Sequence, residues 1–120
     1  MTDIHYLASP YSKYPDGIDA AFVTVCEVAG ALIRQGWSIY SPIAHTHPIA
    51  IHAKIDPLNH AIWLAFDEAM MTAATGCLVV RMPGYDQSFG IAHEIKRFRE
   101  MGKPIRYVGW PNIVVGDPVS

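Results

Sequence analysis

The sequence predicts an α/β domain: a small doubly wound parallel sheet of about five strands, with helices on both faces. Three observations predict it. Short apolar runs alternate with longer segments in which apolar residues recur every three or four positions. The run Cys77-Leu78-Val79-Val80 is continuously apolar, as expected of a strand covered on both sides. Glycine and proline fall between these segments, where turns are needed.

In chain order, Ile4 to Ala8 reads as a buried strand, stopped by Ser9-Pro10. Residues 11–17 are turn-rich, and Tyr14 among them reads as a surface tyrosine. A helix follows, with Ile18, Phe22, Val25, Ala29 and Leu32 on one face and Gly36 past its end. Trp37 to Tyr40 reads as a second strand, and residues 43–57 as a long loop rich in His and Pro. Leu58 to about Thr75 reads as a helix lined on one face by Leu58, Ile62, Ala65, Phe66, Ala69 and Ala73. After the strand at 77–80 comes a loop over 82–86. A helix then runs from about Ser88 to Met101, with Ile91, Ile95 and Phe98 inward. Gly102-Lys103-Pro104 ends it, Ile105 to Val108 is a strand, and Ile113-Val114-Val115 is a candidate edge strand. With right-handed crossovers this order gives a Rossmann-like or flavodoxin-like sheet.

Composition narrows the class. The chain has 120 residues, 51% hydrophobic and 17% charged, which suits one folded domain over 1–120 and excludes disorder. A net charge of −2 provides no general field for nucleic acid polymers or anionic membrane. No apolar run approaches the roughly 20 residues of a membrane span. Cys26 and Cys77 read as small core residues rather than a disulfide. A cytoplasmic domain is expected, and the high apolar fraction points to a homodimer or higher homo-oligomer.

In doubly wound sheets ligands bind beyond the carboxyl ends of the strands. The segments there are 9–17, 41–57 and 83–89, and they carry most of the polar chemistry. In Ser88-Phe89-Gly90-Ile91-Ala92-His93-Glu94, Ser88 sits at a helix start and Gly90 leaves room for a ligand. Glu94 lies one turn further on, between Ile91 and Phe98, where a carboxylate would be partly desolvated and nucleophilic. The alternative is a plain N-cap, with a solvated Glu94 paired to Lys96 or Arg97. Asp67 shares a stripe with His60, Trp63, Met70 and Met71. An acid in so apolar a stretch needs a partner or a function as a general acid; the alternative is a solvent-facing stripe.

Tyr6, Ser9, Pro10, Tyr11 and Ser12 end the first strand with hydroxyls and phenols suited to sugar or phosphate. His45 and His47 suit orienting or stacking on a base. With His52 and Asp67 they also admit a metal site, although no H-E-x-x-H pattern supports one. Arg81 is a cation at the end of the best strand, able to pair with Glu94 or Asp86 or to meet a phosphate. No cofactor is called for: G-x-G-x-x-G after a strand and G-x-x-x-x-G-K-[ST] are both missing.

Tyr6-Leu7-Ala8-Ser9-Pro10-Tyr11, the Asp67 helix, Cys77 to Val80, Ser88-x-Gly90-x-x-x-Glu94 and Gly102-Lys103-Pro104-Ile105 follow one another over residues 4–109. In that order they resemble the nucleoside 2-deoxyribosyltransferase family, which includes 2'-deoxynucleoside 5'-monophosphate N-glycosidases. Ser41 to Pro48 followed by Trp63 to Asp67 resembles a subgroup described as DUF1937. The resemblance implies an enzyme that cleaves or transfers an N-glycosidic bond. It implies Glu94 as nucleophile, Asp67 as the acid serving the base, and Tyr6 as the residue orienting the carboxylate. It also implies Ser88 and Gly90 at the sugar or its phosphate. Lys13 or Arg81 would have to supply the cation for a phosphate. A nucleotide-binding module without chemistry and a His-loop metal hydrolase are the competing readings.

Overall fold

The computed structural model describes residues 3–119. Its centre is a five-stranded sheet in the order β2-β1-β3-β4-β5: β1 His5–Ala8, β2 Ile39–Tyr40, β3 Gly76–Val80, β4 Ile105–Val108 and β5 Val115–Val119. The first four strands run parallel, and β5 returns antiparallel to β4. The helices are α1 Ile18–Arg34, α2 Pro42–Ala53, α3 His60–Ala73 and α4 Phe89–Glu100. The expected α/β sheet of five strands is therefore present, with β5 beginning where the anticipated edge strand ended.

Strand alternation sorts the core onto two faces. Leu7, Leu78 and Val80 point to the side covered by α1, where they meet Val25, Val28 and Leu32. Tyr6, Ala8, Cys77 and Val79 point to the other side, where they meet Ile91 and Phe98 of α4 and Met71 of α3. Tyr6 and α4 thus share a face because Tyr6 is one residue out of phase with Leu7. The order of connections reverses between β1 and β3, so a crevice opens beyond their carboxyl ends.

Four expectations are corrected. Residues 43–57 are mostly helix rather than loop: α2 begins with Ser41 as N-cap, its Oγ accepting from Ala44 N at 3.2 Å, and Pro42 at the first helical position. It runs through Pro48 and stops at Lys54, whose φ of 58° is left-handed. Second, α3 does not bury the face expected of it. Leu58 in the preceding turn and Ile62, Phe66 and the three alanines of that face are exposed, and Met71 is the helix's only fully buried residue. The helix carries apolar residues on two sides, and the side with Trp63, Asp67 and Met70 turns inward instead. Third, Cys26 is exposed while Cys77 is buried, because Cys26 follows the inward Val25 on α1 and so points away from the sheet. Fourth, Tyr14 is buried in the α1-side core rather than at the surface.

Candidate active site

An open cleft lies beyond the ends of β1 and β3, where ligands bind in sheets of this topology. It is lined by Ser9, Tyr11 and Ser12 after β1, by Thr46 and His47 of α2, by Trp63 and Asp67 of α3, and by Ser88, Gly90 and Glu94 around the start of α4.

Glu94 sits here because α4 is amphipathic. Ile91, Glu94 and Phe98 are the buried residues of the helix, at spacings of three and four. The position that would carry another apolar side chain carries a carboxyl, and only 8% of Glu94 is exposed. This rules out the solvated pairing with Lys96 or Arg97. Arg97 instead forms a bidentate pair with Glu68 of α3, Nε to Oε1 at 2.8 Å and Nη2 to Oε2 at 2.7 Å, and so ties the two helices together. A buried carboxylate requires a donor. Tyr6, also fully buried, supplies it: its hydroxyl donates to Glu94 Oε2. Phe98 packs on the Tyr6 ring with centroids 5.5 Å apart and fixes the phenol's direction.

Burial pushes the Glu94 carboxyl up to about 8; the Tyr6 hydrogen bond opposes this and the Asp67 charge adds to it. Burial likewise pushes Asp67 up to about 6. The Tyr6 phenol is raised, by burial first and then by the two carboxylates, so it stays a donor. Asp67 Oδ1 is buried without a hydrogen-bond partner, as is Ser9 Oγ. Both residues line the cleft, where a ligand or water would complete them.

The rim is also ordered. Ser88 caps α4, its Oγ accepting from Ile91 N at 3.2 Å. Trp63 Nε1 donates to Asp56 O at 3.0 Å, and Asp56 Oδ1 accepts from Leu58 N at 3.0 Å, which holds the turn before α3. Gly84 has φ +92°, and a Cβ there would lie 2.3 Å from Lys13 O. The loop after β3 can therefore pack on the loop after β1 only through a glycine.

Of the residues singled out from sequence, Glu94, Asp67, Ser9, Tyr11, Ser12, His47, Trp63, Ser88 and Gly90 line the cleft, and Tyr6 reaches it through Glu94. Three do not. Pro10 is buried and does not line the cleft, although Ser9 and Tyr11 on either side do. His45 stands outside, stacked on Phe66 at 5.5 Å, because two residues along a helix separate it from the inward His47. Arg81 lies over the Tyr107 ring at 4.7 Å rather than on Glu94. Pro42, Ile43, Thr46 and Pro57, from the segment expected at this end of the sheet but not singled out, also line the cleft, as do His60, from the Asp67 stripe, and the unanticipated Leu58 and Leu64. The Ser41-Pro42 start signal of α2 could have revealed four of its wall positions, since a helix there brings Thr46 and His47 in together. Among the described residues no group of three or more His, Cys, Asp or Glu is arranged to hold a metal ion, so His45, His47, His52 and Asp67 form no ligand set.

Fold and cleft together define a class: an α/β domain with two carboxyls of raised pKa at a strand-order reversal. The chain belongs to the family described as domain of unknown function DUF1937, whose model matches residues 3–109. No curated protein matches it. Among the described residues no helix is long and apolar enough to cross a membrane.

Proposed function

We propose that the cleft cleaves or transfers the N-glycosidic bond of a nucleoside or nucleoside 5'-monophosphate, with Glu94 as nucleophile. The observation that carries this reading is the buried Glu94 carboxyl held by the Tyr6 hydroxyl, facing a cleft also lined by Asp67. Breaking the bond builds positive charge on the sugar ring, and a desolvated carboxylate stabilises that charge strongly. Glu94 forms a bond to the anomeric carbon as the carbon–nitrogen bond breaks. The electron pair leaves with the base, which takes the Asp67 proton. Water or a second base then attacks the same carbon, the ester bond breaks, and Glu94 leaves as carboxylate; Asp67 takes up the proton released by the incoming group.

The reaction needs Glu94 ionised and Asp67 protonated. With the two groups interacting, the pair loses its protons in two steps, near pH 6 and near pH 8; in between, one proton is shared and rests mostly on the more deeply buried Glu94, so the reactive arrangement is the minor one. A bell-shaped pH profile with limbs in that window follows. Incubation with a panel of nucleosides and 5'-monophosphates, followed by chromatography for free base, tests the reading. Glu94→Gln should reduce base release by more than about a thousandfold while the fold is kept. Base release retained in that variant would exclude Glu94 as nucleophile. Exchange between two bases separates transfer from hydrolysis.

One observation favours a second reading, a binding module. The push on Glu94 to about 8 leaves it largely neutral at pH 7, when it can hydrogen-bond a ligand without attacking it. Nucleotide binding by calorimetry, with no base released on long incubation, would select that reading. We also propose a homo-oligomer: Leu58, Ile62, Phe66 and Phe89 are exposed apolar residues beside the cleft. Sedimentation as a monomer at micromolar concentration would overturn it.

A further inference from the structure

The glycosidic reading uses Glu94, Asp67 and Tyr6 and leaves a second polar cluster on the opposite wall unexplained. His47 is buried, 6% exposed, and each of its ring nitrogens has a partner. Nε2 lies 3.1 Å from Asp19 Oδ1, in the first turn of α1. Nδ1 lies 2.5 Å from the Tyr11 hydroxyl. Phe22 stacks on the imidazole with centroids 4.6 Å apart and planes 22° apart, so the ring cannot turn freely. His47 and Tyr11 both line the cleft, and Asp19 does not.

The chemistry of the partners sets the direction of both bonds. A carboxylate only accepts, so a neutral His47 carries its proton on Nε2 and donates to Asp19. Nδ1 is then an acceptor and takes the Tyr11 proton. Burial, followed by the Asp19 charge, pushes the Tyr11 phenol up to about 12, so it keeps that proton to give. With its hydrogen committed to His47, the Tyr11 oxygen has only lone pairs left for a ligand. Asp67 and Glu94 line the same cleft, and among the described residues no Lys or Arg does.

We propose that Asp19, His47 and Tyr11 form a relay that fixes the Tyr11 oxygen as a hydrogen-bond acceptor toward the ligand. The site thereby selects a nucleoside presenting an uncharged O–H or N–H donor over one carrying a phosphate at that place. The proposal rests on the glycosidic reading for the word nucleoside; the relay itself does not. His47 and Asp19 are positioning residues, acting through Tyr11. At the Tyr11 oxygen, away from the N-terminus of α4, a phosphate oxygen would meet lone pairs without a lining cation among the described residues, whereas a sugar hydroxyl or a base amine completes the chain.

Two measurements test it. Nitrogen-15 NMR reads the His47 tautomer directly. The expected result at pH 8 is a proton on Nε2 in the wild-type chain, a mixture of tautomers in Asp19→Ala, and recovery in Asp19→Asn, which keeps an acceptor. Asp19 is solvent-exposed, so these variants keep the fold. Calorimetry then compares 2'-deoxyadenosine with its 5'-monophosphate, with 2',5'-dideoxyadenosine and with purine 2'-deoxyriboside, all on the Glu94→Gln background so that turnover does not obscure binding. The first should bind at least about tenfold tighter than the monophosphate, and Tyr11→Phe and Asp19→Ala should each weaken it by about tenfold. Whichever analogue lacks the recognised donor should bind equally to the Tyr11→Phe variant and its parent, which separates hydroxyl from amine. A proton on Nδ1 in the wild-type chain overturns the relay, and tighter binding of the monophosphate overturns the selectivity. If no nucleoside binds, the glycosidic reading and the selectivity fall together, and the tautomer measurement alone then decides the relay.

Discussion

The helices α3 and α4 both border the cleft, yet they are held in opposite ways. α4 begins with a bonded Ser88 cap and buries Ile91, Glu94 and Phe98 against the sheet. α3 begins at Asn59 with no side-chain cap bond, fully buries only Met71, and shows Ile62 and Phe66 to solvent. What secures α3 comes from elsewhere: the Arg97–Glu68 pair, and Lys103 Nζ on the carbonyls of Met71 and Thr72 at 3.0 and 2.7 Å. Glu94, the proposed nucleophile, is thus carried by the wall with a packed core behind it, and Asp67, the proposed acid, by the wall with little core. Position is fixed most firmly at Glu94, where the proposed reaction would form its bond.

Substitutions can break this contrast. The largest stability effect is expected at Phe98, fully buried under α4: Phe98→Ala should cost about 3–5 kcal/mol, whereas Phe66→Ala on α3 should cost less than about 1 kcal/mol in urea unfolding of the monomer. Equal losses at the two sites would end the distinction.

The charge on Glu94 sharpens it next. Its carboxyl is raised in the folded chain from 4.5 to about 8, so the native state holds a proton that the unfolded chain has released. Stability is therefore full below pH 4.5 as far as this group is concerned, falls as pH rises toward 8, and then levels. The loss is on the order of 3–5 kcal/mol. Thermal melts of Glu94→Gln should lack that decline and exceed the wild type at pH 9. A decline that persists in the variant would assign it to other groups.

A smaller effect, about 1–3 kcal/mol, is expected for Gly84→Ala, because the added carbon collides with Lys13 O and the positive φ disfavours a side chain. The smallest comparison is between caps: Ser88→Ala should cost about 1 kcal/mol and Asn59→Ala only a few tenths, since only the first loses a hydrogen bond.

The same contrast explains what could be read from the sequence. β1, β3, α1 and α4 were legible because each has one dominant apolar pattern and one covering layer. Glu94 could be placed between Ile91 and Phe98 for that reason. α3 was legible as a helix, but its inward side was not: Leu58, Ile62 and Phe66 make as good a stripe as Trp63, Met70 and Met71, and only docking against α4 chooses between them. α2 was missed because Pro48 and three histidines hide its period, and its buried residues, Pro42, His47 and Ala50, form no apolar stripe. The Asp19–His47–Tyr11 cluster was invisible for a related reason. It joins three separate segments, and it exists only once α2 is a helix leaning on α1.

The two ends of the sheet have a further consequence. β2 is only two residues long, and β5 places Pro118 opposite Arg106 with an irregular register before Val108. Proline offers no amide hydrogen, and a two-residue strand offers too few groups to template a neighbour. Both borders are therefore poor templates for another chain's backbone, which favours assembly through side chains over extension of the sheet.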